Sequence, residues 1–241
     1  MNNIVISFFI PSEGYTHSQN AHDSVKAACD RWGVEYLIFN KPLQPTGFHN
    51  MFTKLFLPSL ISKYKQCLYI DTDIIINSTT PNPFNSFNID QNIYVVKDMQ
   101  QPFLTDIEKE NFKNDQLCLP WFNICKNALG ITFDKQYYKD NFFNAGMFLF
   151  SPTNHMYIFQ KIISALNNIT ENYKSIHQVE QALLNLAFMH FLDKKLTFID
   201  KKWNYIDPDI NSKNMDGYLY HFTGWYYEIY KTEINNYTKW K

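Results

Sequence analysis

The stretch LYIDTDIIIN, residues 68–77, places two aspartates between two apolar runs. On an extended backbone, side chains two positions apart point the same way, so Asp71 and Asp73 are expected to converge. Two converging carboxylates repel each other unless a cation or a proton compensates. This motif alone leaves two interpretations open, a cation-binding site or a solvated strand end.

The segments before this stretch predict how it is positioned. Residues 3–10 and 34–39 are apolar and typical of strands. Each is followed by apolar residues at helical spacing, which predict a first helix from Ser18 to Gly33 and a second around 52–61. Pro58 should disturb the second helix. A β-α-β-α-β order favours a parallel sheet with right-handed crossovers. Ligands bind beyond the carboxyl ends of strands in such sheets, where Asp71 and Asp73 fall.

The segments after it extend the same architecture. Strands are predicted at 92–98 and 142–150, and helices from Pro152 and near 178–192, the second with Glu180, Gln181 and Asn185 opposite its apolar side. There is no repeat or linker in the 241 residues. The predicted fold class is therefore α/β, a single domain with a Rossmann-like, mostly parallel central sheet flanked by helices.

Composition narrows the function. Lys+Arg at 22 against Asp+Glu at 23 gives a formal net charge of −1, which offers nucleic acid no basic field. Arg31 is the single arginine, so any phosphate must be bound by lysine, backbone amides or a metal. The four cysteines have no CxxC spacing and predict reduced thiols in a cytoplasmic protein. No apolar run reaches transmembrane length.

Two further motifs could complete a site. His221, after an apolar strand and before a glycine, is either a third metal ligand or a histidine packed among aromatic residues. Imidazole suits Mn²⁺ better than Mg²⁺. The Asn144-Ala145-Gly146 sequence inside an apolar strand is either a β-bulge or bare backbone facing a polar substrate.

Together these motifs carry a family resemblance. LYIDTDIIIN, FFNAGMFLF (142–150), EQALLN (180–185) and HFTG (221–224), in this order, resemble glycosyltransferase family 8, which includes glycogenin and bacterial lipopolysaccharide galactosyltransferases. The resemblance spans the chain from the first strand to about Gly224. It implies a GT-A fold, with a nucleotide-binding half at about 1–98 and the acceptor side and a metal-closing tail at about 99–241. It also implies sugar transfer from a nucleotide diphosphate donor, usually UDP-linked, with retention at the anomeric carbon and with Mn²⁺, Mg²⁺ being possible.

The resemblance also implies roles for individual residues. It makes Asp71, Asp73 and His221 the metal ligands, and it stacks Tyr15 on uracil. Glu180 and Gln181 stand where the family has Asp-Gln, beside the reacting carbon of the donor sugar. Lys54 would face donor phosphate or sugar; the alternative is a solvated lysine on an amphipathic helix. Lys54, Glu180 and Gln181 are the predicted catalytic residues. The other implied donor-binding positions are Pro11, Thr72, Asn144, Ala145, Gly146, Thr223 and Gly224.

One departure and two alternatives remain. The family commonly has a lysine that contacts the diphosphate where this chain has Tyr227, so either Lys231 or the tyrosines and Thr223 would replace that contact. A haloacid-dehalogenase-type phosphatase would use Asp71 as nucleophile, but its motif normally lies on the first strand and needs a later Gly-Asp-x-x-x-Asp. A non-catalytic nucleotide-sugar-binding protein is the other alternative. The acceptor (a glycan, a lipid-linked sugar or a protein) and the oligomeric state are not predicted.

Overall fold

The computed structural model describes residues 2–8, 19–98, 119, 121–206 and 216–223. Within these residues, two β-sheets form the framework. The strands are β1 (Asn3–Phe8), β2 (Glu35–Phe39), β3 (Gln66–Ile70), β4 (Ile74–Ile76), β5 (Ile93–Lys97), β6 (Phe143–Phe150), β7 (Leu196–Phe198), β8 (Tyr205–Ile206) and β9 (Leu219–His221). Six of them form a central sheet in the order β2-β1-β3-β6-β5-β7, and the other three form a small sheet in the order β4-β9-β8.

The central sheet is mostly parallel, as predicted. β1 pairs in parallel with β2 and β3, and β5 pairs in parallel with β7. β6 is the exception, because it runs antiparallel to both of its neighbours, β3 and β5. This reversal places the beginning of β6 beside the carboxyl end of β3, where Ile70 pairs with Met147. The Asn144-Ala145-Gly146 motif therefore reaches the same edge of the sheet as Asp71.

Helices cover both faces of this sheet. Their bounds are α1 (Gln19–Trp32), α2 (Leu57–Leu60), α3 (Pro83–Ser86), α4 (Phe122–Leu129), α5 (Lys135–Asp140), α6 (Pro152–Leu166), α7 (Glu171–Lys174) and α8 (His177–Leu192), with 3-10 helices at Asn50–Leu55, Asp193–Lys195 and Lys201–Asn204. Local chemistry explains their ends: Gly33, at φ 67°, ends α1, and the Ser151 side chain accepts a hydrogen bond at the start of α6. The disturbance predicted near Pro58 is present, since the segment divides into the first 3-10 helix and the single turn of α2.

The strands of the central sheet separate two apolar clusters. Ile4, Tyr69 and Phe148 belong to the larger one, which also contains the buried sides of α4, α6 and α8. Val5 and Leu68, on the opposite face, belong to a second cluster with residues of α1. This alternation is the period-2 pattern of strands that are buried on both faces.

The burial of α8 corrects one expectation. Glu180 and Asn185 were expected opposite the apolar side of the helix, yet they are 2% and 0% exposed, and Gln181 is half-buried. The helix is covered on nearly every side, since it contacts α4, α6 and β6. The Asn185 amide is satisfied by the backbone of Phe143, donating to its carbonyl and accepting from its N–H, both at 2.8 Å.

Among the helices in the described part of the chain, none is long and apolar enough to cross a membrane.

Candidate active site

Asp71 and Asp73 lie in a tight turn between β3 and β4. The Ile74 N–H donates to the Asp71 carbonyl at 3.3 Å, which closes the turn. The two carboxylates do converge, but through this turn and not through alternation along a straight strand, so the geometric reason predicted from the sequence is wrong. Thr72, between them, is half-buried.

The small sheet brings His221 to the same place. β9 pairs antiparallel with β4, and Ile74 lies opposite His221 in the register. The Phe222 N–H donates to the Asp73 carbonyl at 3.0 Å. The ligand atoms of Asp71, Asp73 and His221 all lie within 4.8 Å of one another, and His221 Nε2 is 3.1 Å from Asp73 Oδ1. Two carboxylates and an imidazole fit a divalent cation such as Mn²⁺.

Gly146 makes room for the His221 ring. A Cβ at this position would lie 2.3 Å from His221 Cε1 and 2.8 Å from His221 Nδ1. The Gly146 carbonyl accepts from the Asp71 N–H at 2.8 Å, so the same residue also ties the aspartate turn to β6. A register shift in β5, between Val95 and Lys97, accompanies this part of β6. The motif therefore has two features: the β-ladder is irregular, and its backbone closely approaches the His221 ring. This geometry suits an imidazole that binds a metal.

Gly146→Ala is expected to displace His221, because the new methyl group and the imidazole cannot share the space. Overpacking of this kind costs about 1–3 kcal/mol of folding stability, and loss of ligand geometry should weaken Mn²⁺ binding by at least about tenfold. Urea denaturation and an electron paramagnetic resonance titration of Mn²⁺ measure the two effects. Gly33→Ala is the control for the Mn²⁺ titration: an alanine is strained at φ 67°, which should lower stability, but no atom lies within 4 Å of the ideal Cβ, so Mn²⁺ affinity should be unchanged. Wild-type Mn²⁺ affinity in Gly146→Ala would disprove the close-approach argument.

Lys54 is buried beneath the aspartate turn. It is 1% exposed, and its Nζ lies 3.2 Å from Asp71 Oδ1, 3.5 Å from Glu180 Oε1 and 3.2 Å from the Ala145 carbonyl oxygen. Burial lowers the pKa of Lys54, but Asp71 and Glu180 outweigh burial and hold the pKa above its ordinary value. Lys54 is thus not the solvated lysine of the alternative interpretation. It is a buried cation that contacts the carboxyl groups of Asp71 and Glu180.

Glu180 and Gln181 reach this cluster from the first turns of α8. Burial raises the pKa of the Glu180 carboxyl to about 8, with Lys54 opposing the shift and Asp71 adding to it. The Gln181 Oε1 accepts from the Ala145 N–H at 3.2 Å. The two residues therefore lie beside the end of β6 that is near Asp71 and His221. Glu180 points inward against Lys54, and Gln181 is partly accessible.

The site contains residues that the sequence reasoning missed. The Tyr69 hydroxyl donates a short hydrogen bond to Asp71 Oδ1, and burial, reinforced by Asp71, raises the pKa of Tyr69 well above its usual range. Tyr69 precedes Asp71 by two positions, so strand alternation could have indicated it. Asn204, which contacts both His221 and Asn144, had no such signal, because its 3-10 helix is distant in sequence from both.

The remaining predicted site residues divide into two groups. Thr223 is half-buried and lies two residues after His221, the last residue of β9. Ala145 is buried, and its backbone atoms contact Lys54 and Gln181. Four of the site positions named above lie outside the described residues, Pro11, Tyr15, Gly224 and Tyr227, as does Ser18, the predicted start of the first helix.

Several solved structures resemble the chain in fold. A glycosyltransferase described as involved in glycosylation of the major capsid of PBCV-1 has a TM-score of 0.62 at 12% identity, covering 98% of this chain and 100% of its own. The bifunctional glycosyltransferase WbbM has a TM-score of 0.59 at 15% identity, covering 96% of this chain and 49% of its own. An active-site mutant of LgtC has a TM-score of 0.51 at 14% identity, covering 98% and 96%. At these identities the likeness shows the fold.

The family follows from the sequence itself. No curated protein matches the chain. The family described as glycosyl transferase family 8 matches residues 14–226, which include the aspartate turn, the Asn144-Ala145-Gly146 motif and His221. The match excludes the phosphatase alternative, and the chain belongs to glycosyl transferase family 8 and is a glycosyltransferase.

Proposed function

We propose that the protein transfers a sugar from a UDP-linked donor to an acceptor with a divalent cation held by Asp71, Asp73 and His221, Mn²⁺ being preferred and Mg²⁺ possible. The observation that carries this proposal is the convergence of three ligand atoms from a turn and a distant strand, within 4.8 Å of one another. A single arginine in the whole chain supports it, because a diphosphate then needs a metal bridge for its charge. Transfer with retention is part of the proposal and rests on the family.

In this proposal the cation and the residues that hold Asp71 have separate roles. A cation held by Asp71, Asp73 and His221 would supply positive charge to stabilise a diphosphate leaving group. Lys54 Nζ and the Tyr69 hydroxyl both contact Asp71 Oδ1, so this carboxylate is held in place before any ligand binds. This preorganisation matters because small misplacements of a reacting group reduce the rate strongly.

Gln181 is proposed to face the donor sugar. Its Oε1 is occupied by the Ala145 N–H, so its Nε2 is the atom that can donate to a sugar oxygen. Glu180 is 2% exposed and contacts Lys54, so we assign it a positioning role beneath Gln181. This assignment differs from the catalytic pair expected from the family resemblance, where both residues stand beside the reacting carbon.

In this proposal, residues from both halves of the chain form the donor site. The nucleotide is assigned to about 1–98, with Tyr15 stacked on uracil, and the acceptor, whether glycan, lipid-linked sugar or protein, to about 99–241. The proposed donor contacts are Pro11, Thr72, Asn144, Ala145, Gly146, Thr223 and Gly224. A cytoplasmic location is supported by Cys29, Cys67 and Cys125, which are buried free thiols.

Removal of the metal is expected to abolish protection of the fold by UDP. With Mn²⁺ present, UDP at one hundred times its dissociation constant should stabilise the folded protein by about 2.7 kcal/mol. Thermal unfolding followed by circular dichroism, with UDP in Mn²⁺ and with UDP in EDTA, measures the difference. Uridine serves as the matched ligand control, since it lacks the diphosphate and should protect equally in both. Equal protection by UDP in EDTA would contradict the metal bridge.

A further inference from the structure

A chain of hydrogen bonds connects the metal-site imidazole to the backbone of β6 through Asn204. Asn204 is 0% exposed and belongs to the 3-10 helix Lys201–Asn204. Its Oδ1 lies 3.1 Å from His221 Nδ1, and its Nδ2 lies 3.0 Å from Asn144 Oδ1. Asn144 Oδ1 in turn accepts from the Gly146 N–H at 2.8 Å.

The backbone amide at one end determines the polarity of every bond in this chain. The Gly146 N–H can only donate, so the Asn144 atom that faces it must be the amide oxygen. That oxygen can only accept, so Asn204 must present its NH₂ group to Asn144 and its own oxygen to His221. An amide oxygen cannot donate, and His221 Nδ1 must therefore carry a hydrogen. The other ring nitrogen, Nε2, is the atom on the side of Asp73.

We infer that Asn204 is a positioning residue that holds the hydrogen of His221 on Nδ1 and so keeps Nε2 as the metal-binding atom; this inference rests on the metal site of the proposed function. A neutral imidazole in water exchanges its hydrogen between the two nitrogens, and a ring with the hydrogen on Nε2 cannot bind a cation through that atom. Partners that orient a ligating imidazole in this way strengthen metal affinity about 10–100-fold.

The inference also explains why the Asn144 motif and His221 belong together. Gly146 gives the ring its space and, through its N–H, sets the polarity of the chain that orients the same ring. The oxygen of Asn144 is occupied by Gly146 and Asn204, so its NH₂ group is the part of the amide that can face a donor. Asn204 thereby couples the orientation of a metal ligand to that of a proposed donor contact.

His155 provides an internal reference with the opposite arrangement. The Ser151 N–H donates to His155 Nδ1 at 3.0 Å, so that nitrogen must be an acceptor, and His155 Nε2 faces the Gln91 carbonyl oxygen at 3.3 Å. In protein labelled with ¹⁵N-histidine, a ¹H–¹⁵N correlation spectrum should show His221 with its hydrogen on Nδ1 and His155 with its hydrogen on Nε2. Loss of one signal in His221→Gln assigns the metal-site ring.

The two variants of Asn204 separate orientation from packing. Asn204→Leu removes the acceptor and should weaken Mn²⁺ binding, measured without nucleotide, by about 10–100-fold and abolish the Nδ1–H signal of His221. Asn204→Asp keeps an acceptor for Nδ1–H but loses the NH₂ donor to Asn144, so it should keep that signal and bind Mn²⁺ more tightly than Asn204→Leu. Asn82→Ala is the matched control, because Asn82 caps α3 away from the site and its loss should lower stability alone.

Several results would overturn the inference. The first is a wild-type His221 without a hydrogen on Nδ1. The second is an Asn204→Leu variant that keeps the wild-type signal and Mn²⁺ affinity. The third is an Asn204→Asp variant that binds Mn²⁺ as weakly as Asn204→Leu. If Asn204→Leu does not fold, the wild-type spectrum and Asn204→Asp still decide the question. If the wild type binds no Mn²⁺, the proposed function is wrong. The Nδ1–H signal of His221 tests the role of Asn204 independently of that result.

Discussion

Asp73→Asn is expected to lower the rate of sugar transfer by about three orders of magnitude, since a metal that stabilises a leaving group contributes several kcal/mol and each 1.36 kcal/mol is tenfold in rate. The asparagine has the same shape but no charge, so the cation loses one of its two carboxylates. The fold should survive, because Asp73 lies in a turn with 22% of its side chain exposed. Steady-state rates of UDP release at several Mn²⁺ concentrations measure the effect.

Asp30→Asn is the control for this experiment, because Asp30 pairs with Lys26 on the surface of α1, where its side chain is 66% exposed. Its rate should equal that of the wild type, since exposed pairs contribute little. An Asp73→Asn protein that turns over like Asp30→Asn, with an unchanged Mn²⁺ requirement, would remove the aspartate turn from the reaction.

Lys54→Met is expected to lower folding stability by about 3–5 kcal/mol, the range for removal of one partner from a buried ion pair. The methionine fills the space of the alkyl chain but leaves Asp71 and Glu180 without the cation that lies 3.2 Å and 3.5 Å from them. The loss is a large fraction of the roughly 5–15 kcal/mol that stabilises a typical domain. Urea denaturation in EDTA measures it without a contribution from bound metal.

At high pH, where Glu180 ionises, the double variant Lys54→Met/Glu180→Gln should recover part of this stability, because it removes one of the two stranded carboxylates. The loss in Lys54→Met should also grow with pH. Burial raises the folded-state pKa of Glu180 to about 8 from an ordinary 4.5, so the folded protein binds this proton more tightly and stability falls as pH rises through that interval. Removing Lys54 takes away the one effect that lowers this pKa. A deficit that is equal at pH 6 and pH 9, with no recovery in the double variant, would contradict a buried charge cluster.

Local patterns predicted the sheet and the position of the aspartate pair. The apolar strands, the Gly33 and Pro152 signals and the βαβ order are properties of neighbouring residues, and the structure confirms the mostly parallel sheet that follows from them. The reversal of β6 was not predicted. Strand direction depends on where the long segment between β5 and β6 returns to the sheet, and hydrophobic periodicity contains no such information.

The site itself depended on contacts between distant segments. His221 reaches Asp73 through the β4–β9 pairing, which no local pattern indicates, so only the family resemblance placed it there. Lys54 and Glu180 were ambiguous for the same reason, because a charged residue on an amphipathic segment is normally solvated. Their burial is stabilised by each other, by Asp71 and, for Lys54, by the Ala145 carbonyl oxygen. Asn204 was missed because it belongs to a 3-10 helix, whereas its partners His221 and Asn144 lie in two strands that are separate from it in sequence.

UDP release from a panel of UDP-sugars, measured with Mn²⁺ and with EDTA on wild type and Asp73→Asn, tests the central claim most directly. We predict that at least one UDP-sugar yields UDP with the wild type in Mn²⁺, that EDTA abolishes the reaction and that Asp73→Asn loses about three orders of magnitude in rate. UDP release that persists in EDTA or in Asp73→Asn, or no release from any UDP-sugar while UDP still binds, would contradict a metal-dependent transferase built on Asp71, Asp73 and His221.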